Sequence, residues 1–195
     1  MLIGTKNPHK QRKLAAMVSE FFQAAVDATL PDVEEHGDSF EEIARNKAAE
    51  YSRLNGGYAI STDGGAVIPA LRGKWNPLRT RRFAGTDQER IASLLKMLEG
   101  SENRTVEWHE AVAVAHDGNV LFSTTSRAMD GFIVKEFDSQ KYREGIWLCS
   151  LTAFPQFGGR NYFDLTREEQ EKTEDSWSVL GAAVRKFFAS ITSGT

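Results

Sequence analysis

The sequence predicts an α/β fold: a single elongated domain of two lobes spanning residues 1–195, with a central mixed, twisted sheet flanked by helices and a cleft between the lobes. Three observations lead there. Strand and helix signals alternate through the first hundred residues. Capping-box spacings open helices at Ser39 and Thr86. From residue 105 to 134 the pattern turns alternating and β-rich, as a long hairpin requires.

In chain order, residues 1–4 read as a short buried strand, and Asn7 caps a helix whose first position suits Pro8. Leu14, Val18 and Phe21 or Phe22 on one face carry that helix to about residue 22, and residues 24–29 read as a second strand. Ser39-Phe40-Glu41-Glu42 opens a helix that Asn55-Gly56-Gly57 ends. Residues 58–62 make a strand, Asp63-Gly64-Gly65 reads as a tight turn, and residues 66–71 resume an extended run.

Residues 72–82 form a basic loop of five arginine or lysine residues around Trp75. Thr86-Asp87-Gln88-Glu89 then starts a helix with Ile91, Leu94, Leu95 and Leu98 on its apolar side. Asp117-Gly118-Asn119 is the hairpin turn between residues 110–116 and 120–127. Residues 145–164 are irregular and aromatic, and the last helix, about 176–190, offers Val179, Ala183, Val184 and Phe187 for packing.

A net charge of −3 gives no global attraction to nucleic acid or an anionic membrane, so phosphate binding must come from local placement. The single cysteine, Cys149, forms no internal disulfide and fits a reducing, cytoplasmic setting. His9, His36, His109 and His116 show no zinc-ligand spacing, and no export signal or membrane span is visible.

Three segments carry candidate chemistry. Gly4 to Lys10 passes from a strand into a helix N-terminus, where backbone N–H groups and the dipole favour phosphate oxygens. Thr5 and Asn7 add neutral donors and Lys10 an ammonium; an ordinary cap with a solvated lysine explains the segment equally well. Glu42 and Lys47 are separated by about 140° around their helix and can flank one cleft, although Glu42 also sits where a capping box wants it. Asp63 lies at a strand end beside two glycines that admit close approach, or that simply turn the chain. Two carboxylates with phosphate oxygens and water are a usual way to hold Mg²⁺.

GTKNPHK, SFEEIARNKA, TDGGAVIPALRG and RRFAG, in that order over the first 85 residues, together with LTREEQEK from Leu165, resemble the inosine triphosphate pyrophosphatase family. That resemblance implies Mg²⁺-dependent hydrolysis of unusual purine nucleoside triphosphates to a monophosphate and pyrophosphate, by a homodimer. Its T-x-N-x-x-K falls on Thr5, Asn7 and Lys10, its F-x-E-N on Phe40, Glu42 and Ile43, its next lysine on Lys47, and a later arginine on Arg82. D-D-S-G falls on Thr62, Asp63, Gly64 and Gly65, so one acid is kept.

The departures concentrate at the base-recognition end. G-[FY]-G-[YW]-D-P meets residues 146–151 without its aspartate and proline. K-x-x-x-S-H-R meets Lys172, Ser176, Trp177 and Ser178 without its histidine and arginine. Trp147 and Trp177 offer a stacking surface in their place, or serve as core or dimer-contact residues. The resemblance implies Asp63 and Glu42 as metal ligands. Asp63, Lys10 and Lys47 would be the catalytic groups, with Thr5, Asn7, Arg82, Trp147, Lys172, Ser176 and Trp177 binding substrate. A nucleotide-binding protein without turnover is the alternative that Thr62 and the altered C-terminal motif motivate. A single-stranded nucleic-acid site on Arg72, Lys74, Trp75, Arg79, Arg81 and Arg82 is a third reading, opposed by the negative charge.

Overall fold

Leu2 and Ile3 are buried, and their strand, β1 (Leu2–Gly4), lies parallel to β2 (Tyr58–Val67) in the computed structural model, which describes residues 1–192 apart from the side chains of Arg81 and Arg82. The chain divides into two units. One comprises Met1–Gly64, His109–Arg127 and the described part of Ser176–Thr195; the other comprises Gly65–Trp108 and Ala128–Asp175.

In the first unit, β2 is hydrogen-bonded to β1 and to β3 (Thr105–His116), which pairs antiparallel with β4 (Asn119–Arg127) through the Asp117-Gly118 turn. Side chains of β3 alternate between two apolar layers. Ala111, Ala113 and Ala115 meet Ala44, Ala48 and Ala49 of α2 (Phe40–Asn55), small residues that let helix and strand approach closely. Val112 and Val114 join Ile3 and Ile60 against Leu14, Met17 and Val18 of α1 (Pro8–Val18), with Leu180, Val184 and Phe188 of the C-terminal helix (Ser176–Thr192).

The second unit pairs the first residues of β3 with β5 (Gly131–Ile133), β5 with β6 (Thr152–Phe154), and β6 with β7 (Arg160–Asn161), all antiparallel. Its helices are α3 (Asp87–Met97), α4 (Trp147–Leu151) and α5 (Arg167–Thr173), so the C-terminal helix is α6. Ile68, Leu71, Trp75, Ile91, Leu94, Val106, Ile133, Trp147 and Leu151 form its core. Arg104 closes that core: its guanidinium donates to Leu98 O at 2.6 Å, Ile133 O at 2.7 Å and Val134 O at 2.8 Å. No helix among the described residues is long and apolar enough to cross a membrane.

The α/β class and mixed sheet are as expected, and so are the caps. Ser39 and Thr86 accept from Glu42 N and Glu89 N, and Gly56 ends α2 at φ 62°. Several details differ. Residues 24–29 make only a single parallel bridge, at Ala25, because Asp27 bonds the Thr29 backbone and hydroxyl and turns the chain away. Asp63-Gly64-Gly65 is not a turn; β2 runs straight through it. α1 stops at Val18, whose carbonyl accepts from both Phe21 N and Phe22 N. On α6 the expected Val184 is buried and Phe187 packs against the core, but Val179 is exposed and Leu180 and Phe188 complete the buried stripe. Trp75 is buried and donates to Ala66 O at 2.7 Å, which removes the aromatic that a nucleic-acid strand would need from the basic loop.

Arg104→Lys keeps the charge but cannot span three carbonyls with a planar fork. It should lower stability by about 1–3 kcal/mol through unsatisfied buried acceptors, whereas Lys172→Ala should stay within about 0.5 kcal/mol. Urea denaturation of the two variants beside the unsubstituted chain checks the difference.

Candidate active site

Residues 4–10 are built as the sequence suggests. The Asn7 Oδ1 accepts from His9 N at 2.9 Å and Lys10 N at 3.2 Å, capping α1, and Thr5 Oγ1 accepts from Asn7 N at 3.3 Å. Gly4 is required there, since a Cβ would lie 2.6 Å from the Tyr51 ring. Buried Ser61 ties β2 to the same spot by donating to Gly4 O at 2.6 Å. One turn into α1, Lys10 directs its ammonium to Glu110 Oε1 at 2.8 Å.

On α2, Lys47 is buried and donates to Thr62 O at 3.3 Å and Glu35 Oε1 at 3.2 Å. Asp63 follows Thr62 on β2, where burial pushes its carboxyl from the usual 3.8 up to about 6. The charges of Lys10 and Lys47 pull it back, while Glu35 and Glu110 push it further up. Asp63, Lys10 and Lys47 therefore share one electrostatic environment, built entirely from the first unit.

Glu110 escaped the sequence reading. It sits on the β3 face of Val112 and Val114, so its signal is a carboxylate in register with core valines. The Thr62 hydroxyl lies 2.5 Å from Glu110 Oε1 and 2.6 Å from Ala111 O.

Other candidates lie differently. Glu42 is exposed on the first turn of α2, and its Oε2 accepts from Asp38 N at 2.9 Å, completing the cap one residue upstream of the expected partner. Trp147 is 6% exposed in the second unit's core, with Trp75 edge-on at 6.4 Å. Lys172 bonds Glu168 at 2.8 Å on an exposed face of α5. Ser176 is buried. Trp177 packs partly buried on the first unit's core and meets His9, in the capped loop, edge-on at 6.4 Å. The Arg82 side chain lies outside the described residues.

Among the described residues, no group of three or more His, Cys, Asp or Glu side chains could hold a metal ion. Mg²⁺ asks for less than that when phosphates and water complete its shell. Asp63 offers one hard oxygen donor on β2, which fits Mg²⁺ only where phosphate oxygens and water complete the shell.

Known proteins share this sequence and architecture. The sequence matches the Ham1 family over residues 1–188. A Synechocystis protein named dITP/XTP pyrophosphatase is 33% identical over 126 residues, and the chain spans 64% of that relative's length, just under two thirds. A Geobacillus kaustophilus protein of the same name is 35% identical over 147 residues, 69% of this chain and 70% of its own. Another, from Gloeobacter violaceus, is 28% identical over 197 residues, covering 100% of this chain and 95% of its own. Among solved structures, a HAM1 protein from Coxiella burnetii aligns with a TM-score of 0.78 at 22% identity, over 95% of this chain and 98% of its own. The Staphylococcus aureus Ham1 protein aligns with the same score at 19% identity, over 95% and 97%. The match over residues 1–188 shows that the chain belongs to the Ham1 family.

Proposed function

We propose that this chain hydrolyses a purine nucleoside triphosphate of the inosine or xanthosine kind to the monophosphate and pyrophosphate, with Mg²⁺. The observation that carries the reading is Asp63, a half-buried carboxylate on β2 that loss of hydration pushes up to about 6 and that the charges of Lys10 and Lys47 pull back down. Relatives of the same family named dITP/XTP pyrophosphatase support the substrate class.

In this reading Lys10 and Lys47 bind phosphate oxygens, while Thr5 and Asn7 hold the loop that faces them. Asp63 orients a water and accepts its proton as the oxygen attacks the α-phosphorus. The bond from that phosphorus to the bridging oxygen breaks, and pyrophosphate leaves with the electron pair. Bound Mg²⁺, held by Asp63 with phosphate oxygens and water, would supply neutralisation of the charge that develops on the phosphates, while Glu42 stays engaged by Asp38 N. Placement and electrostatics contribute most of the acceleration, since Lys10, Lys47 and Asp63 are anchored on buried elements.

The base is held less specifically. Trp147 is in a core and Lys172 is engaged by Glu168, which leaves Trp177, beside His9, as the aromatic nearest the phosphate loop among the candidates. Stacking gives affinity with little discrimination, because every base presents a π-face.

Three outcomes follow. Asp63→Asn should lower kcat/KM at least a hundredfold in a pyrophosphate-release assay with inosine triphosphate; a loss of only a few-fold removes Asp63 from the chemistry. The same variant should be the more stable protein at pH 7.5 in EDTA. The folded state holds the Asp63 proton up to about pH 6 and the unfolded chain only to 3.8, so this group's contribution falls as pH rises through that window. The advantage of asparagine in thermal melts should accordingly shrink towards pH 4. Finally, kcat/KM for inosine or xanthosine triphosphate should exceed that for adenosine and guanosine triphosphates by less than roughly a hundredfold, or about 2.7 kcal/mol. A larger ratio means that other side chains read the base.

A further inference from the structure

Lys10 and Glu110 lie 100 residues apart in sequence and 2.8 Å apart in space, with side chains 19% and 12% exposed. The same carboxylate oxygen is 2.5 Å from the Thr62 hydroxyl, so two groups from two elements hold it in place. Room for it comes from Gly64: an ideal Cβ there would lie 2.4–2.6 Å from the three atoms of the Glu110 carboxylate group. Any side chain at 64 would expel Glu110 from this position. Gly64 has no positive φ, so its missing side chain serves the close approach and not the backbone conformation. The second cation is balanced in the same way, Lys47 by Glu35.

Both lysines that would bind phosphate are thus already paired. We propose that Glu110 is a specificity-determining residue that keeps Lys10 charge-balanced, so that the site takes a nucleoside triphosphate as its divalent-cation complex and resists the free anion. The inference rests on the function proposed above and deepens it. A free triphosphate that captures Lys10 strands the Glu110 carboxylate, poorly hydrated, beside several phosphate charges. An uncompensated, partly buried charge is strongly unfavourable. A divalent cation arriving with the phosphates gives that carboxylate a new partner of oxygen-seeking character and frees the ammonium for phosphate.

The sign of the effect separates this role from a structural one. Glu110→Gln keeps the side chain's volume and its capacity to accept from Lys10 and Thr62, and removes only the charge. Isothermal calorimetry of inosine triphosphate in EDTA should show it binding at least tenfold tighter than the unsubstituted chain. The ratio of Kd in EDTA to Kd in Mg²⁺ should collapse by the same factor. In a Lys10→Met background the gain should shrink below threefold, because the charge acts through Lys10. Gly64→Ala, which displaces the carboxylate without removing it, should move the EDTA affinity in the same direction and carries the test if Glu110→Gln fails to fold. Unchanged or weaker EDTA binding by whichever of the two folds overturns the inference, and so does a gain undiminished by Lys10→Met. If the unsubstituted chain binds no inosine triphosphate even with Mg²⁺, the proposed function falls and this inference with it; Mg²⁺-dependent binding without the Glu110 effect removes the inference alone.

Discussion

Strand β2 is buried on both of its faces from Ala59 to Thr62, and what surrounds it follows from that constraint. A strand flanked by β1 and β3 and covered on either side has no water with which to satisfy its side chains. Its two hydroxyls must bond protein, and they do: Ser61 donates to Gly4 O, and the single Thr62 hydrogen is within reach of both Glu110 Oε1 and Ala111 O on β3. These bonds stitch the phosphate loop, β2 and β3 together where the strand nears solvent. Asp63 is the next residue. Its raised carboxyl is a consequence of sitting one position beyond a fully buried segment, close enough to the core to lose much of its hydration.

The neighbouring strand adapts to this arrangement through residue size. Three alanines on one β3 face admit α2, bringing buried Lys47 against the Thr62 carbonyl. On the opposite face the register places Glu110 among valines, and the absent side chain of Gly64 leaves space for its carboxylate. Neither substitution pattern makes sense alone. An alanine face without a helix would waste burial, and a glutamate in a valine row without Lys10, Thr62 and Gly64 would be an isolated charge against a core.

Lys10, Lys47 and Asp63 therefore share one electrostatic set within one unit, Lys10 paired with Glu110 and Lys47 with Glu35. Lys10, Lys47, Asp63 and Glu110 project from helices and strands packed in the core, and fixed charges of that kind can stabilise a transition state. The groups the family resemblance assigns to the base are dispersed by comparison. Trp147 is spent on packing, Lys172 on a helix-surface ion pair, and Trp177 on the core beneath His9.

Helix starts, the end of α2 and the hairpin turn were legible from the residues themselves, because a cap or a turn is a hydrogen bond between neighbours; the end of α1 was not. Asn7, Ser39 and Thr86 cap, Gly56 stops α2, and Asp117-Gly118 turns the hairpin. Lys10, Lys47 and Asp63 could be named because each lies in or beside a recognisable segment, although Lys47 falls in mid-helix and Asp63 within β2. Tertiary structure alone decided which partners they have. Glu110 is 48 residues from Thr62 and 100 from Lys10, so no local pattern could pair them. Asp63-Gly64-Gly65 shows the same division: locally those residues favour a turn, yet pairing of β2 with its neighbours and the carboxylate packed over Gly64 hold them extended. The sequence by itself determined the caps that start helices and the hairpin turn, since those energies are local, while the end of α1 and the path of residues 24–29 and 63–65 departed from the local reading. The fold decided which faces meet, and with them the charge state of Asp63 and the company of Lys10, because burial and long-range electrostatics exist only once the strands have assembled.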